Sequence, residues 1–143
     1  MDLSDGLGAL LDERIRFVAI ANPKHAPYGR AAEQALRSIG LYARVQPKLV
    51  LGENINQTLQ LVQTGNADMG VVARSLAIAP AIKATGRYFL IPHYLHRPIR
   101  QAAGVVSRSP HPDVARSLLA FLSGSTGRTI MRRYGFTLPG ESL

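Results

Sequence analysis

Apolar and polar positions alternate along this chain in two rhythms. "RFVAIA", residues 16–21, is a short apolar run with β-branched members and predicts a buried strand. Over residues 30–39 the period changes. Ala31, Ala32, Ala35, Leu36 and Ile39 fall on one helical face, and Gly40 stands where a glycine ends a helix. The alternation then repeats. "PKLVLG", 47–52, predicts a second strand. "INQTLQLVQTG", 55–65, predicts a second helix, with Ile55, Leu59 and Val62 at helical spacing and Gly65 as its stop. "ADMGVVA", 67–73, predicts a third strand, and 75–86 an irregular helix limited or kinked by Pro80. Further strands are expected at "RYFLIP", 87–92, and "IRQAAGVVS", 99–107, then helices over 111–123 and 125–134. Residues 2–14 read as a short helix or turn with Ser4 or Asp5 as cap.

Strands alternating with helices of about ten residues predict α/β layers around a largely parallel sheet. In such sheets ligands sit outside the carboxyl ends of the strands, where helix N-termini gather. That directs attention to the loops 22–29, 52–55 and 74–75.

Composition narrows the choices. A length of 143 residues favours one domain or one and a fraction. A hydrophobic content of 46% argues against wholesale disorder. The absence of cysteine removes disulfide frameworks, zinc–thiolate sites and cysteine nucleophiles together. No segment reaches the roughly 18 continuous apolar residues of a membrane span. "MDLSDGLGALLDERIRF" has no basic n-region and no long apolar core, so no signal peptide is expected in it. The net charge of +8 and a pI of about 10.6 point to an anionic partner, either nucleic acid or a small oxyanion. The basic residues, among them Arg16, Lys24, Arg44, Lys48 and Arg132–Arg133, are scattered and few aromatics lie among them. A nucleic-acid groove is therefore not favoured.

Three strand-to-helix junctions carry the candidate chemistry. In Ala26-Pro27-Tyr28-Gly29 a turn bounded by proline and glycine runs straight into a helix. The amides of Tyr28, Gly29 and Arg30 would be its first-turn donors, at a helix end carrying about half a positive charge. An oxyanion fits there without a lysine, and so does a plain βα loop. In "GENINQ", Asn54 followed by Gln57 is a capping-box pattern that leaves the Ile55 amide available; the other reading is a well-capped helix and nothing more. In "ARSLA", Ser75 reads as an N-cap and not as a nucleophile, since no G-x-S-x-G surrounds it. His93 and His96 form an H-x-x-H without further ligands, so no metal is expected. Asp68 reads as a turn residue. With no Rossmann fingerprint, no P-loop and no catalytic constellation, neither an enzyme nor a cofactor is expected.

The segments "AIANPKHAPYGRAAEQALRSIGL", "KLVLGENINQTLQLVQTGNADMGVVA", "YFLIP" and "ARSLLAFLSGSTGRTIMRRYGF" resemble the periplasmic molybdate-binding proteins of ABC transporters over nearly the whole chain. The resemblance implies a type II periplasmic-binding-protein-like α/β fold of two hinged lobes. Molybdate or tungstate would be held by hydroxyls and backbone amides, and a membrane permease would be the partner. It places ligand-binding donors at Tyr28 and Ile55. At a position where some members carry a tyrosine, Ala73 stands here. It further implies that 1–14 is a remnant of the first lobe or hinge. Residues 15–102 would then be the complete second lobe, and 103–143 the hinge strand and C-terminal helices of the first. On that reading the chain is N-terminally truncated and lacks half of the ligand shell. It is then expected to bind molybdate weakly or not at all, because desolvating a buried ion costs several kcal/mol. Apolar faces at "LLAFL", Ile130, Met131, Tyr134 and Phe136 would favour self-association or segment exchange. The location implied is periplasmic. The alternative is a small-anion effector-sensing domain of an intracellular regulator, for which no helix-turn-helix lies in the sequence.

Overall fold

Four residues at the centre of the sheet organise the first of the chain's two units. Val18–Ala21 (β1) are all buried and form the middle strand of a parallel sheet of order β2-β1-β3. The flanking strands are β2 at Leu49–Gly52 and β3 at Met69–Gly70. Pairing runs from Val18 opposite Leu49 to Ala21 opposite Gly52, and from Val18 opposite Met69 to Ala19 opposite Gly70. The computed structural model describes residues 4–141, and the chain divides into two units between Ile99 and Arg100.

A strand that is apolar at every position must be covered on both faces. Successive side chains alternate, so Val18 points into one cluster with Ala35 and Leu36 of helix α1, Pro27–Ser38. The opposite face carries Ala19 and its register partner Gly70, and there Val62 of α3, Ile55–Gln63, packs so closely that a Cβ on Gly70 would stand 2.6 Å from it. Leu7 and Leu10, from a 3-10 turn at Gly6–Leu11, join the α1-side core with Ile15 and Val45. Val45 belongs to α2, Tyr42–Val45, a short helix that the sequence periodicity does not announce. Ile15, Val18, Ile20, Leu36 and Val45 are each at most 1% exposed, so each contributes about 1.5–3 kcal/mol of burial.

Helix ends follow local chemistry. Gly40 at φ 71° and Gly65 at φ 74° take the left-handed conformation that closes α1 and α3, as expected from their positions. Leu41 N–H returns to Leu36 O at 2.8 Å to complete the first of these ends. α1 begins three residues ahead of the expected 30, because Pro27 is preset for the first helical position. Pro80 divides 75–86 into α4, Arg74–Ala77, and α5, Pro80–Lys83. Pro47 brings a 3-10 turn, Gln46–Lys48, in front of β2 and shortens that strand.

Two expectations fail. Neither 87–92 nor 99–107 is a strand. An apolar run is only half of a strand, since it also needs a neighbour to ladder with. β3 pairs with β1 on one side and, among the described residues, with nothing on the other. Phe89 and Ile91 pack against the core instead. Ala102, Ala103 and Gly104 are exposed and offer little side chain to hold an edge in place. Ser75 is not a cap. α4 starts one residue earlier with Ala73 at the cap position, which puts Ser75 inside the helix.

In the second unit α6, Pro112–Ser123, is followed directly by α7, Ser125–Arg133. Glu141 ties the tail to α7, accepting from Arg132 Nε at 2.8 Å and from Leu138 N at 3.0 Å. The Leu138 amide first, and then the Arg132 guanidinium, holds its carboxyl below the usual range. Val114, Leu118 and Phe121 on α6, with Ile130 on α7, are exposed, whereas Met131, Tyr134 and Phe136 are partly buried.

Asp68, expected to be a turn residue, does more than turn the chain. Its Oδ2 accepts from the amides of Arg16, at 2.8 Å, and Phe17, at 2.9 Å, and so pins the entry to β1 beside the entry to β3. Those two backbone bonds, Phe17 first, lower its pKa. A depressed carboxylate stabilises the fold above its ordinary titration range, and that contribution disappears as pH falls through the folded-state value. Asp68→Ala should therefore lower the thermal midpoint at neutral pH, with the gap to the unsubstituted chain closing as the solution is acidified. Melts across an acid series read this, and a gap independent of pH would contradict it.

Candidate functional site

The carboxyl edge of the sheet is where two adjacent parallel strands hand over to the two long helices of the first unit. Ala21 and Gly52 are register partners, and the next residue, Asn22, donates its amide to Gly52 O at 2.7 Å. Both loops therefore leave the sheet side by side, at the parallel-strand spacing of about 4.8 Å.

The first loop is shaped by Asn22. Its Oδ1 accepts from Lys24 N at 3.1 Å, and its carbonyl accepts from His25 N at 3.3 Å and Ala26 N at 2.9 Å. This tight turn delivers Ala26 as the α1 cap residue in an extended conformation, φ −92° and ψ 124°. Alanine offers no side-chain acceptor, and Pro27 has no backbone N–H. Tyr28 and Gly29 thus carry the first N–H groups of α1, whereas the Arg30 amide, expected beside them, donates to Ala26 O at 3.1 Å. Gly29 is held against β1: a Cβ there would lie 2.0 Å from Ala21 O.

The second loop closes differently. Asn54 Oδ1 accepts from Asn56 N and Gln57 N, both at 3.0 Å, and Asn54 O accepts from Thr58 N at 3.0 Å. Gln57 Oε1 reaches back to accept from Glu53 N at 2.5 Å, one residue before the cap. Three of the four first-turn donors of α3 are satisfied in this way. The fourth, Ile55 N–H, makes no hydrogen bond among the described residues. Thr58 is fully buried beneath this turn. Its Oγ1 donates to Asn54 O at 2.9 Å and sits against Gly52. Thr58→Val should cost about 1 kcal/mol, the net worth of one buried hydrogen bond, read as a urea midpoint shift with unchanged slope.

The structure thus brings Tyr28 and Ile55 to neighbouring loops on one edge, both partly buried. Ala73 comes to the same edge after β3, 4% exposed, but its side chain is a methyl and α4 spans only four residues. Tyr28 and Ala73 both line a depression of about 720 Å³ beside β3, with Ala31, Val62, Met69 and Tyr88; Ile55 does not. Two residues of this edge escaped the sequence reading. His25 Nε2 lies 3.0 Å from Glu53 O and 3.3 Å from Glu53 Oε2, bridging the two loops. The Asn22-Pro23 pair was the available signal for the turn that aims His25. At the amino edge, a separate depression of about 510 Å³ is lined by Arg16, Arg44 and Lys48 among others. The Lys48 ammonium there is engaged, donating to Leu10 O at 3.2 Å and Asp12 O at 3.0 Å. Among the described residues no group of three or more His, Asp or Glu could hold a metal ion.

Comparison with known proteins bears on what such an edge does. The chain is 38% identical to the molybdate-binding protein ModA of Rhodobacter capsulatus over 132 residues, which are 92% of this chain and 51% of that protein. It is 37% identical to ModA of Azotobacter vinelandii over 135 residues, 94% of this chain and 54% of that protein. The solved Azotobacter vinelandii periplasmic molybdate-binding protein superposes with a TM-score of 0.83 at 30% identity, covering 91% of this chain and 57% of that one. The chain therefore spans about half the length of the curated relatives it matches. These relatives lend no support to a regulator's sensing domain. The family model described as bacterial extracellular solute-binding protein matches residues 2–137, and the chain belongs to that family.

Proposed function

We propose that the carboxyl edge of the sheet is part of an oxyanion receptor, and that the protein serves as the substrate-binding component for uptake of molybdate or tungstate through a membrane permease, in the periplasm. The observation that carries this reading is the unengaged Ile55 amide at the start of α3, set beside the start of α1 by the Asn22–Gly52 bond. Backbone donors at helix ends suit a tetrahedral dianion, because they supply positive potential without the strong hydration of an ammonium. Tyr28 and Ile55 are the donors; Ala73 contributes its place at the edge and no side-chain donor.

Few donors meet on this unit, and removing a dianion from water costs several kcal/mol. The chain as it stands therefore binds weakly. Calorimetry with molybdate, tungstate, sulfate and phosphate tests this. The expected result is weak saturable binding of molybdate and tungstate, with sulfate behind because of its smaller size. No binding of any oxyanion, together with steeply salt-dependent binding of DNA, would favour the basic surface over the sheet edge.

The exposed α6 residues Val114, Leu118 and Phe121 lie four and three positions apart, so they form one apolar stripe on the helix. Such a stripe favours association of chains. Light scattering after size exclusion should give a mass above that of one chain, and a clean monomer would contradict this.

A further inference from the structure

We propose that His25 is the positioning residue of the oxyanion site, clasping the loop before α1 to the loop before α3 so that their amides meet one anion. This rests on the oxyanion reading above and adds a part that the backbone donors do not supply.

The geometry of the two loops argues for it. Each is well ordered within itself: Asn22 accepts three bonds inside the first, and Asn54 with Gln57 satisfies four amides in and around the second. Between them, however, the main chain makes, among the described residues, only the Asn22–Gly52 bond, at the sheet end where the strands already fix the spacing. Beyond that bond the loops run on toward Tyr28 and Ile55, and the sheet no longer sets their separation. His25 stands at that outer position. Its Nε2 is 3.0 Å from Glu53 O, in the residue directly before the α3 cap, and 3.3 Å from Glu53 Oε2. A carbonyl only accepts, so Nε2 must carry the proton and donate. Glu53 cannot shift freely to meet it, because its own amide is taken by Gln57 Oε1. The bond therefore joins one rigid turn to another and fixes the distance between two helix ends.

The contact is also separable from stability. The His25 and Glu53 side chains are 51% and 74% exposed, so their loss removes little buried surface. A residue kept in water and bonded across two loops acts on the relative placement of those loops more than on the core.

Two measurements on the full chain decide it. The first is a long-range nitrogen–proton NMR spectrum of the His25 ring, which needs no ligand. The neutral ring should carry its proton on Nε2; a proton on Nδ1 with Nε2 bare would overturn the clasp, since nothing could then be donated to Glu53 O. The second is molybdate affinity across three chains. His25→Ala should weaken binding about tenfold, as expected for one hydrogen bond of about 1.4 kcal/mol. His25→Gln, whose amide Nε2 takes the place of the ring Nε2, should restore most of it, and the thermal midpoint should not change. Equal affinity in His25→Ala and the unsubstituted chain, or His25→Gln as weak as His25→Ala, would overturn the proposal. If the unsubstituted chain bound no oxyanion, the receptor reading would fail, and the ring spectrum would still decide the clasp.

Discussion

Gly29→Ala is expected to destabilise the chain by about 3 kcal/mol or more, the range of severe overpacking against backbone. At an exposed helical position the same change would stabilise by up to about 1 kcal/mol. The sign reverses here because α1 starts almost in contact with the strand that precedes it. The added Cβ would stand 2.0 Å from Ala21 O, 2.6 Å from Ala21 C and 2.9 Å from Asn22 C. None of these atoms can yield cheaply. Ala21 belongs to the central strand, and Asn22 is bonded to Gly52 O. With total stabilities of about 5–15 kcal/mol, a loss of this size populates unfolded chain measurably. Urea unfolding reads it, and a midpoint at or above that of the unsubstituted chain would show that α1 is free to move off the sheet.

How much of this was visible beforehand depended on range along the chain. The start of α3 was legible because every part of it lies within six residues: Gly52 for the close turn, Asn54 for the cap, Gln57 for the return bond. β1 was legible because its four apolar residues include β-branched Val18 and Ile20 and end at the Asn22-Pro23 turn signal. The failures needed partners that sequence periodicity does not reveal. Residues 87–92 have the composition of a strand but, among the described residues, no ladder to join, and the largely exposed 99–107 segment has none either. Asp68 is paired with residues 51 and 52 positions away. His25 meets Glu53 across 28 residues, a separation that no local periodicity announces. The resemblance implied Tyr28 and Ile55 as donors, and strand pairing puts the starts of their two helices on one edge of the sheet.

Ile55→Pro is the second substitution with a large expected effect, and it acts on binding with little effect on fold. Proline removes a single N–H, the one at Ile55 that no protein acceptor uses among the described residues. It is well tolerated as the first residue of a helix. The residue before a proline must be extended, and Asn54 already is, at φ −149° and ψ 176°. Tyr28 allows no equivalent test, because a proline there would force Pro27 out of its helical conformation. Loss of one hydrogen bond to a charged group is worth about 1.5–3 kcal/mol, so molybdate affinity should fall about 10- to 100-fold. Ile55→Ala, which keeps the amide, should bind nearly as well as the unsubstituted chain. Equal weakening by both would assign the effect to the isoleucine side chain and remove the amide from the site.

The central claim is that amides at two helix starts converge on one oxyanion. An amide-resolved NMR titration of the unsubstituted chain with molybdate addresses it directly and works even when affinity is low. Saturable shifts are expected at Tyr28, Gly29 and Ile55, following one binding curve, with residues at the amino edge of the sheet unmoved. Shifts that centre instead on Arg16, Arg44 and Lys48, or that follow different curves at Tyr28 and Ile55, would contradict the account.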